Sequence, residues 1–224
     1  MKKVIIILIV FGVSSFVTLQ LVNDPLPSGQ SGQLADDLAK KMLGALNVAA
    51  YDTAKVISWT FDKGGHHYRW DKELDQVEVQ WSDFIVSFST KTLQGSATQG
   101  TEELTESALD VAINQAWEFF ANDSFWLVAP YKVFDPGTTR QMVPMENGNG
   151  LLITYTSGGV TPGDSYLWML DENYFPKGWK MWTQKVPIKG VEFEWSGWKQ
   201  YGGFWLAEKH EWLISVNTSN IKVQ

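Results

Sequence analysis

Three histidines and a scatter of carboxylates are the residues with which this chain could do chemistry. His66 and His67 are adjacent, and His210 stands far along the chain. Adjacent side chains on a strand face opposite ways, so His66 and His67 cannot readily share a metal. There is no HExxH spacing, and carboxylate help for a zinc site would have to come from an unknown direction. The histidines therefore read as structural or surface residues, and no metal or cofactor is expected. Asp71, Asp123, Asp135, Asp164 and Asp171 lie near turns or aromatics. A glycosidase needs two facing carboxylates at a defined separation, with aromatic platforms for the sugar. Nothing in the spacing pairs these residues, and turn-forming Asp is the stronger reading. The serines sit in no GxSxG, and no Walker loop or GxGxxG is present. Gly158-Gly159-Val160-Thr161-Pro162-Gly163-Asp164 lacks the Lys and the following helix of a phosphate cradle. It reads as a hairpin loop braced by Asp164, with a type II turn that needs positive φ at Gly163.

The aromatic residues carry more information. Twelve tryptophans recur along the chain, from Trp59, Trp70 and Trp81 to Trp198, Trp205 and Trp212. A sheet curving around them can fill a core or enclose an apolar cavity, and apolar cavities bind apolar ligands. Hydrophobic residues are 44% of the 224, too many for a disordered chain. The formal net charge of -7 carries no offsetting basic cluster, which excludes a nucleic-acid partner. Only two arginines occur, Arg69 and Arg140. The absence of cysteine excludes disulfides, thiol catalysis, cysteine metal sites and a lipobox.

The elements that must position these residues follow in order. Residues 1–22 carry Lys2-Lys3 and then an apolar run from Val4 to Val22. This is a signal peptide or an N-terminal membrane anchor, and either puts the body outside the cytoplasm. If uncleaved, it is the chain's membrane contact. Residues 23–33 (NDPLPSGQSGQ) read as a flexible linker, and 34–224 as a single domain. Leu34, Leu38, Met42 and Leu46 predict a helix over Leu34–Ala49, with Ser31 as N-cap. Val56–Phe61, His66–Trp70, Gln76–Trp81 and Phe84–Phe88 predict an antiparallel meander. A second helix is predicted over Thr101–Ala121, stopped by Asn122-Asp123-Ser124. Phe125-Trp126-Leu127-Val128 then forms an apolar plug ahead of Pro130 and Asp135-Pro136-Gly137. Strands are predicted at Thr139–Val143, Leu151–Thr156, Ser165–Asp171, Trp179–Lys185, Val191–Trp195 and Phe204–Ile214. The fold class is α+β, mainly β: a large curved antiparallel sheet or half-open barrel, with two or three helices covering its opening.

The exported start, the helix LAKKMLGALN and the meander around FDKGGHHYRWD resemble the periplasmic lipoprotein carriers (LolA/LolB-like). The later stretches NDSFWLVAP, KVFDPG and SGGVTPGDSYLWMLDENYFPKGWKMW resemble uncharacterised exported bacterial proteins of that pattern. The resemblance implies a half-open barrel with a hydrophobic cavity for acyl chains, and a buried arginine tying the helical lid to the barrel. Arg69 is the candidate latch, and Phe125, Trp126 and Leu127 are candidates for the core or cavity wall. The expected function is a non-enzymatic, exported binding protein in the periplasm or on the outer face of a bacterial inner membrane. Its ligand would be an acyl chain, a lipid or a lipoprotein. Two alternatives stand beside it: a cell-envelope glycan hydrolase using paired carboxylates, and an envelope scaffold that binds a protein partner through exposed tryptophans.

Overall fold

The computed structural model describes residues 23–224, so the expected signal or anchor at residues 1–22 lies outside the described residues. The described chain enters through strand β1 (Gln30–Ser31) and helix α1 (Gln33–Ala45). Asn47, in the left-handed region at φ 60°, separates α1 from α2 (Val48–Thr53). The single helix predicted over Leu34–Ala49 is therefore two. Asn tolerates that conformation better than most residues, and its side-chain amide is held by the Gly203 carbonyl at 2.7 Å. Gly32, not Ser31, stands at the N-cap of α1. Leu38, Met42 and Leu46 are buried as their spacing predicts, while Leu34 is exposed.

Residues 23–31 are not the free tether their composition predicts. The Asp24 carbonyl accepts from the Trp182 indole at 2.8 Å, and the Asp24 carboxylate meets Lys180 at 2.8 Å. Lys189 and Gln141 bond Asn23 and Gly29, and β1 pairs with Gln141 and Met142. The strap lies on the outer face of the sheet beside a small apolar cluster of Val143, Leu152, Leu167 and Trp182.

Alternating apolar and polar residues form a first meander: β2 (Val56–Phe61), β3 (His66–Asp71), β4 (Gln76–Trp81), β5 (Phe84–Ser89), β6 (Gly95–Gln99) and β7 (Glu102–Glu103). Its register puts Trp59, Tyr68, Val79, Val86 and Ala97 in one buried row on the inner face. A second meander contains β8 (Thr138–Met145), β9 (Gly148–Tyr155), β10 (Ser165–Leu170), β11 (Pro176–Trp182), β12 (Val191–Ser196) and β15 (Lys209–Glu211). A separate hairpin, β13 (Lys199–Tyr201) and β14 (Phe204–Leu206), interrupts it. The last strand, β16 (Ser215–Val223), pairs β15 on one side and β2 on the other. It joins both meanders into one curved, open antiparallel sheet of 14 strands. The fold is mainly β with three helices, as the sequence predicts. The strand predicted over Phe204–Ile214 is instead β14, β15 and an exposed turn.

Helix α3 (Glu106–Val128) crosses the inner face. Two-residue β7 occupies the predicted helix start at Thr101, and Thr105 is the N-cap. The predicted stop at Asn122-Asp123-Ser124 does not occur. These residues disfavour a helix interior by only ~0.5 kcal/mol each, and buried hydrogen bonds to Asp123 outweigh that. The helix ends ahead of Pro130, where the chain tightens into a 3-10 turn at Ala129–Lys132. Ala112, Ile113, Ala116, Phe120, Leu127 and Val128 form its buried stripe, whereas Val111 is exposed.

Candidate functional site

Through Phe119, Phe120 and Asp123, α3 packs on the first meander, with an open groove of about 320 Å³ beside Phe61 and Gly64. Phe120 packs on Trp59, Tyr68 and Trp70, and Phe119 stacks on His66 with ring centroids 4.0 Å apart. Asp123, buried in the helix, accepts on Oδ2 from the Tyr68 hydroxyl at 2.6 Å. His66 Nδ1 lies 2.7 Å from the same oxygen, and Asn122 donates to Oδ1 at 2.9 Å. The carboxylate is thus a polar tie between helix and sheet. Burial, together with the Asp123 charge, holds the Tyr68 hydroxyl far above its ordinary pKa, so it remains a donor. His66 faces in and His67 faces out to Thr60 Oγ1, as strand alternation requires. Among the described residues no His, Asp and Glu cluster has the makings of a metal site.

The face of α3 that carries Trp117, Phe120, Ser124 and Phe125 does not close on the second meander in the same way. A cavity of about 310 Å³ lies between it and the inner faces of β9, β10 and β11. Phe125 packs edge-on to Tyr155 at 5.2 Å and against Tyr166 at 4.9 Å. Trp126 meets Trp179, Phe193 and His210 at 5.1, 5.0 and 5.4 Å. Trp117 and Phe120 complete the helix side, and Trp179 and Met181 the sheet side. Loop residues 157–161, Thr183, Lys185 and Val186 border it with Lys132, Asp135 and Pro136.

Behind the wall is an aromatic cluster with little polar compensation. Trp168, Trp179 and Trp195 lie within about 5 Å of one another: their centroids are 5.0, 4.9 and 4.8 Å apart. Their indole N–H groups are buried without a partner among the described residues, as are the Tyr155 hydroxyl and His210 Nε2. His210 Nδ1 donates to the Val216 carbonyl at 2.7 Å, which leaves Nε2 as a bare acceptor. Burial lowers the His210 pKa to about 4 against a partly opposing backbone hydrogen bond, so the ring is neutral at pH 7.

The four residues singled out by sequence separate. Phe125 and Trp126 line the cavity, while Leu127 is fully buried outside its lining and serves the core. They belong to a helix, not to a plug between turns. Arg69 is not a latch. Tyr68 and Trp70 face the core, so the intervening Arg69 must face out, opposite Ser58 and Glu78. Arg140 on β8 makes the helix–sheet tie instead. Its Nε donates to Asp36 of α1 at 2.5 Å, and its Nη1 donates to the Val133 carbonyl and Thr138 Oγ1.

Asp71 and Asp171 accept turn N–H groups, the role their context predicts. Asp164 accepts from Thr161 Oγ1 at 2.6 Å and from the Gln184 N–H at 2.9 Å. Asp164 N donates to the Thr161 carbonyl, and Gly163 sits at φ 100°, consistent with the predicted type II turn. Sequence reasoning missed Tyr155, Tyr166, Trp179, Ser124 and Thr183. The signal for the first three was apolar alternation in adjacent strands, which cannot reveal that the facing helix leaves a gap. No protein-family model matches the chain, and no curated protein matches it.

Proposed function

We propose that this chain is an exported cell-envelope binding protein that holds one lipophilic ligand, an acyl chain or a molecule of similar shape, between α3 and β9–β11. The observation that carries the reading is the aromatic-walled cavity of about 310 Å³. Small-molecule sites run from roughly 300 to 1,000 Å³, so this one takes a single chain and not several. A lipoprotein cargo would therefore be held by one acyl chain at a time. Export rests on Lys2-Lys3 and the apolar run to Val22. The resemblance of LAKKMLGALN and FDKGGHHYRWD to the lipoprotein carriers supports the same reading.

Two carboxylates, Asp135 and Asp164, also line the cavity. Asp135 is paired with Lys132, and Asp164 braces the Thr161–Gln184 loops. Both are occupied structurally, which favours binding over glycan hydrolysis by a free carboxylate pair. The test is mass spectrometry of the chain purified natively from the envelope. A co-purifying lipophile near one per chain supports the reading, and a protein free of any such molecule overturns it. The export component is tested separately: residues 1–33 fused to a phosphatase that works only outside the cytoplasm should give active enzyme, and an inactive fusion removes that component.

A further inference from the structure

The cavity wall is aromatic, but it is not purely apolar. Ser124, Tyr166 and Thr183 line it and expose only 7%, 9% and 6% of their surfaces. Among the described residues, none of their hydroxyls has a hydrogen-bond partner. The three oxygens keep surface access, unlike the sealed Tyr155 hydroxyl, so a hydroxyl trio on one cavity wall is a recognition element open to a ligand. Tyr166 and Thr183 are also close in register. Met181 lies directly opposite Tyr166, and Thr183 is two residues beyond on the same inner column. Such diagonal neighbours are about 7–8 Å apart, which lets both reach one oxygen-bearing group.

The charges around the site decide which oxygen function fits. Burial, and then the Asp164 charge, push the Tyr166 hydroxyl above its ordinary pKa, so it stays protonated and donates. Those two influences would also penalise a carboxylate brought into the cavity. Lys132 is already paired with Asp135, and Lys185 is exposed at the rim. A neutral carbonyl or hydroxyl meets no such penalty and can use hydroxyls that both donate and accept.

We infer that the ligand is a single apolar chain bearing an uncharged oxygen function, such as an ester, ketone or alcohol, which Ser124, Tyr166 and Thr183 hydrogen-bond inside the cavity. This rests on the cavity-binding reading above.

The test uses the delipidated full chain at pH 7 with three probes of equal length: methyl dodecanoate, dodecanoate and a dodecane-like hydrocarbon. The ester is expected to bind about tenfold more tightly than the ionised acid, the equivalent of about 1.4 kcal/mol. Tyr166→Phe and Thr183→Val should each lower ester affinity severalfold without lowering hydrocarbon affinity. Both keep the shape of the side chain, and either one alone is sufficient if the other fails to fold. Acid binding as tight as ester binding, or ester affinity unchanged in a folded variant of each kind, overturns the inference while the cavity reading stands. Failure of all three probes to bind overturns both.

Discussion

The first meander and the second offer similar inner faces to one helix, and α3 completes them differently. Over β2–β6 the helix brings Phe119, Phe120 and Asp123, which pack on the sheet and bond Tyr68 and His66, leaving an open groove of about 320 Å³ beside Phe61 and Gly64. Over β9–β11 it brings Ser124, Phe125 and Trp126, and about 310 Å³ is left open. Unpaired polar groups follow the same division. Among the described residues, Trp59 Nε1 is the orphan of the first meander and Asn217 Oδ1 that of the joining strand β16, whereas Tyr155, Trp168, Trp179, Trp195 and His210 are all orphaned in the second. Native interiors usually pair such groups. The first half is mostly satisfied, and the second is unsatisfied around an aromatic-walled cavity, the division on which the proposed binding reading rests.

The largest expected effect separates these roles. Trp59 is 2% exposed and stacked on Tyr68 at 4.6 Å. Trp59→Ala should cost ~3–5 kcal/mol in a denaturant melt and leave acyl-probe affinity per folded molecule unchanged. Trp126, only partly buried at the cavity wall, should show the reverse balance: a smaller stability loss and a larger affinity loss. Equal binding losses in the two variants would dissolve the distinction between the halves.

The second meander should also carry an acid sensitivity. His210 has a folded pKa of about 4 against an ordinary 6.5. Between those values the unfolded chain binds more protons than the folded one, so stability falls as pH falls. The contribution is present in full above pH 6.5 and is lost progressively down to about pH 4. It amounts to on the order of 3 kcal/mol. Melts across that window should show this loss in the wild type and its absence in His210→Phe.

Next in size is the polar tie of the first half. Tyr68→Phe removes a hydrogen bond to the buried Asp123 carboxylate and should cost ~1.5–3 kcal/mol. An unchanged melting midpoint would mean that Asp123 does not fasten α3 to the sheet. Smallest is Gly163→Val in the loop at the cavity rim. Gly163 sits at φ 100°, and a side chain there should cost ~1 kcal/mol or more. A midpoint equal to wild type would refute the turn assignment.

The same division governs what could be seen in the sequence. Strands β2–β5 were legible almost to the residue, because Val77, Val79 and Trp81 alternate cleanly with Gln76, Glu78 and Gln80, and Lys63-Gly64-Gly65 and Ser82-Asp83 mark the turns, whereas the polar, short β6 and β7 were not expected. The Thr161-Pro162-Gly163 turn was legible for a similar local reason. Helix α3 was misjudged at both ends, since only long-range bonds from Tyr68 and His66 explain why Asp123 stays helical. The arginine latch was misplaced for want of register. Alternation alone turns Arg69 outward, but nothing local shows that Arg140 meets Asp36, 104 residues away in sequence. The cavity was legible only as an aromatic surplus. Its location depends on which part of α3 faces which strands, and that is set by how β16 joins the two meanders.

The central claim is that the gap over the second meander is a binding site and not a packing defect, and filling it tests that directly. Ser124 projects from α3 into the cavity lining without a hydrogen-bond partner among the described residues. Ser124→Leu would occupy part of the volume with apolar side chain. Titration of the delipidated wild type and the variant with a fluorescent acyl ester, using the intrinsic tryptophans as donors, reads occupancy beside a denaturant melt. Saturable energy transfer at low micromolar probe is expected in the wild type, and its loss in a variant at least as stable. Undiminished saturable binding in a folded Ser124→Leu, or none in the wild type, would contradict it.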